Sequence, residues 1–361
     1  MTDAAFMARA FRLAERGRGR TTPNPLVGAV VVSPAGVVVG QGAHERAGEP
    51  HAEVHALDAA GARARGATLY CTLEPCGHQG RTGPCTERVL AAGIRRVVIA
   101  IEDPFPLVAG KGIAFLRAHG LEVDVGLGRA TAERQNAPFF TRVRLGRPFV
   151  ILKAATSLDG RITAEAGTRT RLTSAEANRH AHQVRAWVDA IGIGSETLLV
   201  DDPLLTVRGL YRERPLARVI FDRRLRTPVA ARVLSTLDHG PVIIVTGAQA
   251  VRDREGHAAR LAAAGATVVP SEGGQFADML AALEPFPINA LLLEGGATLH
   301  NAAWDEAVVD AVHLYIAPVA LGPAGVALMP GRSFSTAALA DTDIGIYGPD
   351  TCIQGYVHRV D

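Results

Sequence analysis

Three residues between positions 51 and 85 could hold a metal: His51, Cys76 and Cys85. One imidazole and two thiols are soft-to-borderline donors that suit tetrahedral zinc and leave a fourth position open for water. Zinc lowers the pKa of bound water from about 15.7 to about 7, which makes a strong nucleophile available at neutral pH. Glu53 lies two residues after the histidine, is not needed as a ligand, and is free to move a proton. A closed structural site would need a fourth protein donor, and His78 or Cys71 could supply one. Glu53 would then have no task, and the run Thr72-Leu73-Glu74-Pro75-Cys76 would be coincidence. His51-x-x-x-His55 has metalloprotease spacing, but that chemistry needs glutamate directly after the first histidine, and Ala52 stands there.

The flanking pattern shows how these groups are positioned. Residues 3–17 place Phe6, Ala10, Leu13 and Ala14 on one side, an amphipathic helix. Pro23 and Pro25 fix the backbone around Asn24. Residues 26–32 and 37–40 read as two strands of a hairpin around Ser33-Pro34-Ala35-Gly36. His51 and Glu53 open an alanine-rich helix running to residue 64. A strand over 67–73 precedes Cys76, and Pro84-Cys85 opens another helix. Unpaired N–H groups and the positive dipole end lie at helix starts, where they favour thiolate. A strand at 96–101, a helix at 111–118, a strand at 121–125 and a helix at 131–144 complete an α/β layer structure.

The chain restarts after Leu145-Gly146-Arg147-Pro148. Strands are expected at 149–153, 190–194, 217–221, 242–246, 267–269, 290–293 and 310–317, with helices at 174–186 and 298–303. This alternation predicts a second, largely parallel α/β domain. The expected division is residues 1–145 and 149–361, consistent with two domains in 361 residues.

Composition narrows the function further. Lysine plus arginine number 38 against 36 acidic residues, and aromatics make up 5%, so neither a basic stripe nor stacking platforms for nucleic acid are expected. The even balance favours a small substrate. Four scattered cysteines, no apolar run of about 18 residues, and no signal-like N-terminus point to a cytoplasmic protein without membrane spans.

A histidine, a glutamate two residues on and two later cysteines resemble the zinc deaminases, although eight residues separate Cys76 from Cys85 where two are common. Longer runs narrow the resemblance. Pro23-Asn24-Pro25-Leu26-Val27-Gly28-Ala29-Val30, Gly48-Glu49-Pro50-His51-Ala52-Glu53-Val54-His55-Ala56-Leu57 and Thr72 through Cys85 are similar to the bifunctional riboflavin-biosynthesis deaminase–reductases. The lengthened loop between the cysteines is a mark of that family. The similarity continues through Asp103-Pro104-x-Pro106-x-Val108-Ala109-Gly110-Lys111-Gly112, Ser157-Leu158-Asp159-Gly160, Asp201-Asp202-Pro203-Leu204-Leu205-Thr206-Val207-Arg208 and Glu294-Gly295-Gly296-Ala297-Thr298-Leu299.

The resemblance implies a three-layer, cytidine-deaminase-like first domain and a dihydrofolate-reductase-like second domain. The first would release ammonia from a diaminopyrimidinone ribosylamino phosphate, with Zn2+ on His51, Cys76 and Cys85, Glu53 as proton carrier and Asn24 on the substrate. His78 is a further candidate for touching it. The second would reduce the ribose with NADPH. Arg185, Leu205 and Arg208 would line the ribose phosphate, Glu294 would also bind the substrate, and Ala155, Arg171, Thr197, Asp201, Gly295, Gly296, Ala297 and Thr298 would line the cofactor. The strand-Gly-Gly run at 291–296 would bring backbone N–H groups to a cofactor phosphate. Gly192-x-Gly194-x-x-Thr197, a dinucleotide fingerprint lacking its third glycine, carries no argument alone. Family members commonly have serine and tryptophan at positions 169 and 171, so the contact implied for Arg171 does not carry over simply. Lys153 and Asp159 match the family run without an assignable role.

The family also implies a homo-oligomer. Three other readings compete: a monofunctional deaminase with an impaired reductase half, a nucleic-acid deaminase with an accessory domain, and a non-catalytic regulator. Intact Glu53 beside three donors speaks against the regulator.

Overall fold

The computed structural model describes residues 1–77, 83–331 and 335–357. The chain folds as one compact unit, Met1–Leu145, and a second that begins at Gly146.

The first unit is a five-stranded sheet between two helical layers. Its strands are β1 (Gly28–Val32), β2 (Val38–Ala43), β3 (Thr68–Cys71), β4 (Arg96–Ile99) and β5 (Glu122–Val125), in the order β2-β1-β3-β4-β5. β1 runs antiparallel to both neighbours, and β3, β4 and β5 are parallel. All five β1 residues are buried, as a strand covered on both faces requires. Its period of two divides the cores. Ala29 and Val31 pack with α2 (Ala52–Ala60), α3 (Cys85–Ala91) and α4 (Lys111–Ala118), while Val30 and Val32 pack with α1 (Asp3–Ala14).

Two glycines set the depth of α2. A Cβ on Gly40 or Gly42 would run into the α2 backbone at Ala56 and Ala52, so this helix lies directly on β2. The expected helix over 131–144 is two helices, α5 (Arg129–Gln135) and α6 (Ala137–Leu145). Pro138 lacks the N–H that a continuous helix would bond to the carbonyl four residues back. Asn136, at the junction, turns inward. Its Oδ1 accepts from Leu26 N–H (2.7 Å) and its Nδ2 donates to Leu26 C=O (2.9 Å), which anchors the Pro23-Asn24-Pro25 segment immediately upstream.

The second unit has a nine-stranded sheet. In chain order its strands are β6 (Phe149–Thr156), β8 (Ala190–Gly194), β9 (Ala217–Phe221), β10 (Val242–Gly247), β11 (Ala266–Ser271), β12 (Ala290–Leu293), β13 (Ala311–Ile316), β15 (Ala340–Tyr347) and β16 (Asp350–Tyr356). A small ribbon pairs β7 (Arg161–Thr163) with β14 (Val326–Ala327). The sheet order β11-β10-β9-β8-β12-β6-β13 is parallel, and β16 and β15 extend it as an antiparallel hairpin. The parallel part matches the sequence expectation, whereas β15 and β16 are additions to it. β15 reads Ala-Asp-Thr-Asp-Ile-Gly-Ile-Tyr and is mostly exposed at the sheet edge, so it lacks the apolar run that marks an interior strand.

Helices cover both faces: α7 (Ala175–Trp187), α8 (Ser195–Asp201), α9 (Ala248–Asp253), α10 (Glu255–Ala263), α11 (Phe276–Ala281) and α12 (Ala297–Asp305). α8 through α11, short and weakly patterned, are likewise additions to the sequence reading. One core packs β6, β12 and β13 against α11 and α12, and the other packs β8, β9 and β10 against α7, α8 and α10. Half-buried Arg147 and Asp310 form a two-pronged ion pair (2.7 and 2.9 Å) at the start of this unit. None of the helices is long and apolar enough to cross a membrane among the described residues.

Replacing Asn136 by alanine leaves Leu26 N–H and C=O buried without partners, at about 1–3 kcal/mol each. Thermal or denaturant unfolding of Asn136→Ala should show the first transition destabilised by about 2–4 kcal/mol, with NADPH binding unchanged. A wild-type midpoint would contradict this reading.

Candidate active sites

His51 is the residue before the first turn of α2, and Cys85 is the first residue of α3. Cys76 lies on the loop after β3, not at a helix start. That loop is held by Glu74, which is buried and accepts three backbone N–H bonds, from Asp103 (3.2 Å), Gly110 (2.9 Å) and Ile113 (3.0 Å). The Cys76 carbonyl accepts from Thr86 N–H, joining loop to α3. These constraints bring three donor atoms together. His51 Nδ1 is 3.5 Å from Cys76 Sγ and 3.3 Å from Cys85 Sγ. Donors at about 2.0 and 2.3 Å from a tetrahedral zinc lie about 3.6 Å apart, so the set fits that ion. Among the described residues this cluster has three members, and Cys71, buried at the end of β3, is not one of them.

Glu53 follows in the first turn of α2 and is 3% exposed. Burial pushes its carboxyl above the ordinary value against the pull of His51, which suits a group that must both accept and return a proton. The Cys76 thiol is drawn down to about 4 by a hydrogen bond from Cys85 and, against burial, by His51. The pair therefore favours a thiolate at Cys76, while the bond to Cys76, with burial, pushes the Cys85 thiol up.

Asn24 meets a partner that the sequence reading passed over. Its Nδ2 donates to His44 Nε2 (3.0 Å), which places the His44 proton on Nδ1, where Pro50 C=O accepts it (3.2 Å). His44 is buried, and its ring lies edge-on to that of His51, with centroids 5.3 Å apart. Asn24 thus belongs to the surroundings of the metal cluster through His44. Twenty residues separate the two, so no local motif could have linked them. Asp103 is a second such group. Burial raises its carboxyl to about 6, and Glu74 and Cys76 add to the rise against a hydrogen bond from Phe105 N–H. His78 lies outside the described residues.

In the second unit the expected site residues divide into two groups. Arg185, on α7, is paired with Glu294 through two bonds, Nε–Oε1 (2.8 Å) and Nη2–Oε2 (2.7 Å), and its Nη1 donates to Thr206 C=O (3.1 Å). Its fork faces a carboxylate and a carbonyl. Burial alone would raise the Glu294 carboxyl, yet Arg185 and Lys153 outweigh it and hold the group at about 2. Arg208 is exposed, and its backbone N–H donates to His182 Nδ1 (3.2 Å). His182, one turn before Arg185, is also new to the site. Burial and the neighbouring Arg185 and Arg208 hold it at about 4, so it is neutral. Leu205, in the connecting loop, is buried and takes a left-handed backbone (φ 54°), an uncommon state for a branched side chain. Two arginines and Lys153 outnumber Glu294, leaving net positive charge for an anion.

The second group surrounds the start of α12. Gly296 is its capping residue, and a Cβ there would lie 3.7 Å from Thr197 Oγ1 of α8, so Thr197 and the Gly295-Gly296 turn adjoin. Gly295 N–H donates to His300 Nε2 (3.0 Å), whereas the N–H groups of Gly296, Ala297 and Thr298 take no protein partner among the described residues. A turn with three open amides fits a cofactor phosphate. Asp201 ends α8, and Ala155 lies on β6 opposite Tyr315 of β13. Arg171 is exposed on the segment before α7 and has no hydrogen bond or ion pair among the described residues. Lys153 Nζ sits 5.5 Å from the Tyr315 ring centre, and Asp159 accepts from Leu321 and Gly322 N–H.

Comparison with known proteins agrees with both halves. Residues 1–101 match the cytidine and deoxycytidylate deaminase zinc-binding region, and residues 148–353 match the RibD C-terminal domain. The riboflavin biosynthesis protein RibD of Aquifex aeolicus is 42% identical across 89% of this chain and 88% of that protein. Its Escherichia coli counterpart is 39% identical across 98% and 99%. Among solved structures, Acinetobacter baumannii RibD superposes with a TM-score of 0.86 at 35% identity, covering 98% of each chain. A deaminase/reductase from Thermotoga maritima gives 0.83 at 31%, also covering 98% of each. The chain belongs to the RibD family of riboflavin-biosynthesis proteins and is a bifunctional enzyme, with a zinc-dependent deaminase half and an NADPH-dependent reductase half.

Proposed function

We propose that residues 1–145 deaminate a diaminohydroxyphosphoribosylaminopyrimidine and that residues 149–361 then reduce the resulting aminouracil ribosylamino phosphate to its ribityl form. The Thermotoga relative is named for these two reactions. The observation that carries the reading is the cluster of three donors among the described residues, with Glu53 buried beside it.

Zinc, held by His51, Cys76 and Cys85, supplies an acidified water when bound. Glu53 would take one proton from that water and pass it to the ring nitrogen, then carry the second, from the added hydroxyl, to the amine, which departs as ammonia. Its burial excludes bulk solvent from the transfer. Asn24, oriented by His44 through Nδ2, keeps its side-chain oxygen for the substrate's amino or ring N–H groups.

NADPH supplies the hydride to the second reaction. The protein's part there is positional. Arg208 meets the ribose phosphate, because Arg185 is committed to Glu294 and Thr206. Arg185 instead fixes Glu294 as an oriented acceptor toward the ribose hydroxyls, with Leu205 packing beside it. Thr197, Asp201 and the 295–298 turn hold the cofactor, Ala155 approaches it through β6, and Arg171 offers a cation at its edge. The near-equal charge balance supports a small substrate and no nucleic-acid partner. Exposed Ile344 and Ile346 on the edge strand β15 support a homo-oligomer, and the family's biosynthetic role supports a cytoplasmic location.

Glu53→Gln should cut ammonia release by about 10²–10⁴-fold, the range for a lost general acid–base, while leaving NADPH oxidation with the deaminated pyrimidine at wild-type rate. Unchanged ammonia release would remove Glu53 from the chemistry. Wild-type deamination without any NADPH oxidation would favour a monofunctional deaminase.

Glu294 gives a pH signature. Its carboxyl ionises at about 2 in the fold and at about 4.3 when unfolded. Its stabilisation is therefore complete above the unfolded value and is lost as pH falls through about 2. The difference corresponds to on the order of 3 kcal/mol. Glu294→Gln should destabilise the second unit near neutrality and flatten its acid limb between about pH 4.5 and 2. An acid limb identical to wild type would contradict the pairing.

A further inference from the structure

His300 is 1% exposed on α12, is absent from the expected site, and is used by neither reaction. Its Nε2 lies 3.0 Å from Gly295 N and 3.3 Å from Leu293 O, and its Nδ1 has no hydrogen-bond partner. The neutral ring can serve only one of the two backbone groups. Accepting from Gly295 N–H leaves Nδ1–H without a partner. Donating to Leu293 would strand both Gly295 N–H and Nδ1. The first arrangement is the shorter contact and gives the Gly295 N–H its acceptor. Burial keeps the ring neutral, holding it at about 4, so Nε2 stays an acceptor at physiological pH.

The consequence lies in the direction of the turn. A Cβ on Gly295 would collide with the Leu299 side chain (2.8 and 2.9 Å), so residue 295 is pressed onto the first turn of α12 and its amide points inward to His300. The three amides that follow are left open together. We propose that His300 is a positioning residue for the cofactor: by drawing the Gly295 amide inward, it fixes the path of the Gly295-Gly296 turn and aligns the Gly296, Ala297 and Thr298 amides on one anionic group of NADPH. This rests on the reading of residues 295–298 as the cofactor turn. It assigns a task to a buried imidazole that neither reaction uses.

Three variants of the full chain test it, each titrated calorimetrically with NADPH alone. His300→Leu fills the space without an acceptor, His300→Gln keeps an acceptor, and Gly296→Ala adds a methyl group that the free protein has room for. Preorganisation predicts NADPH affinity about tenfold weaker for the leucine variant and within about threefold of wild type for glutamine. Gly296→Ala should bind NADPH more weakly at an unchanged unfolding midpoint. Equal affinities for the leucine and glutamine variants would overturn the role of His300, since a merely structural histidine would lower both midpoints without separating their affinities. Wild-type affinity in Gly296→Ala would instead remove the turn from the cofactor site, and the proposal with it. If the leucine variant does not fold, His300→Met gives the same comparison with glutamine.

Discussion

The deaminase half depends on holding three metal donors, His51, Cys76 and Cys85, together with no fourth beside them among the described residues. Convergence alone is not enough, because thiols and imidazoles close readily around zinc into an inert four-ligand site. Here the geometry is set from outside the cluster. Gly40 and Gly42 let α2 lie on the sheet, which fixes His51 and Glu53, and Glu74 ties the Cys76 loop to the residues before and within α4. Cys71, the nearest spare thiol in sequence, is kept in the core under the helices, where burial holds its thiol well above the ordinary value. Reactive and inert cysteines are thus separated by position on one strand and its following loop.

The reductase half shows a different economy of charge. A half-buried Arg185–Glu294 pair would be a poor source of stability on its own, since desolvation opposes the attraction. It fixes the direction of a carboxylate at the end of β12, while Arg208 remains exposed to meet an anion. Neutral histidines serve the backbone on either side: His182 accepts from Arg208 N–H, and His300 from Gly295 N–H. Both are kept uncharged chiefly by burial, so they add acceptors to a cationic region without adding to its charge.

What the sequence disclosed follows the range over which its signals act. The metal donors and Glu53 were legible because the chemistry confines them to two short runs, and the parallel strands because buried strands read as apolar runs. His44 beside Asn24 and the three amides on Glu74 were not legible, since their partners lie 20 to 39 residues away. The pairing of Arg185 with Glu294 was not legible either, because the partner is 109 residues distant and nothing near Arg185 in sequence signals a carboxylate. The single helix expected over 131–144 failed at Pro138, a breaker that periodicity alone overrides. The hairpin of β15 and β16 was missed because an exposed edge strand has no core-facing pattern to detect.

The most direct test of the metal centre is zinc K-edge X-ray absorption on the purified protein. Two sulfur scatterers at about 2.3 Å, one imidazole nitrogen near 2.0 Å and one further light atom are the expected shell. A protein that carries no zinc, or a shell completed by a third sulfur or a second imidazole, would contradict an open catalytic site.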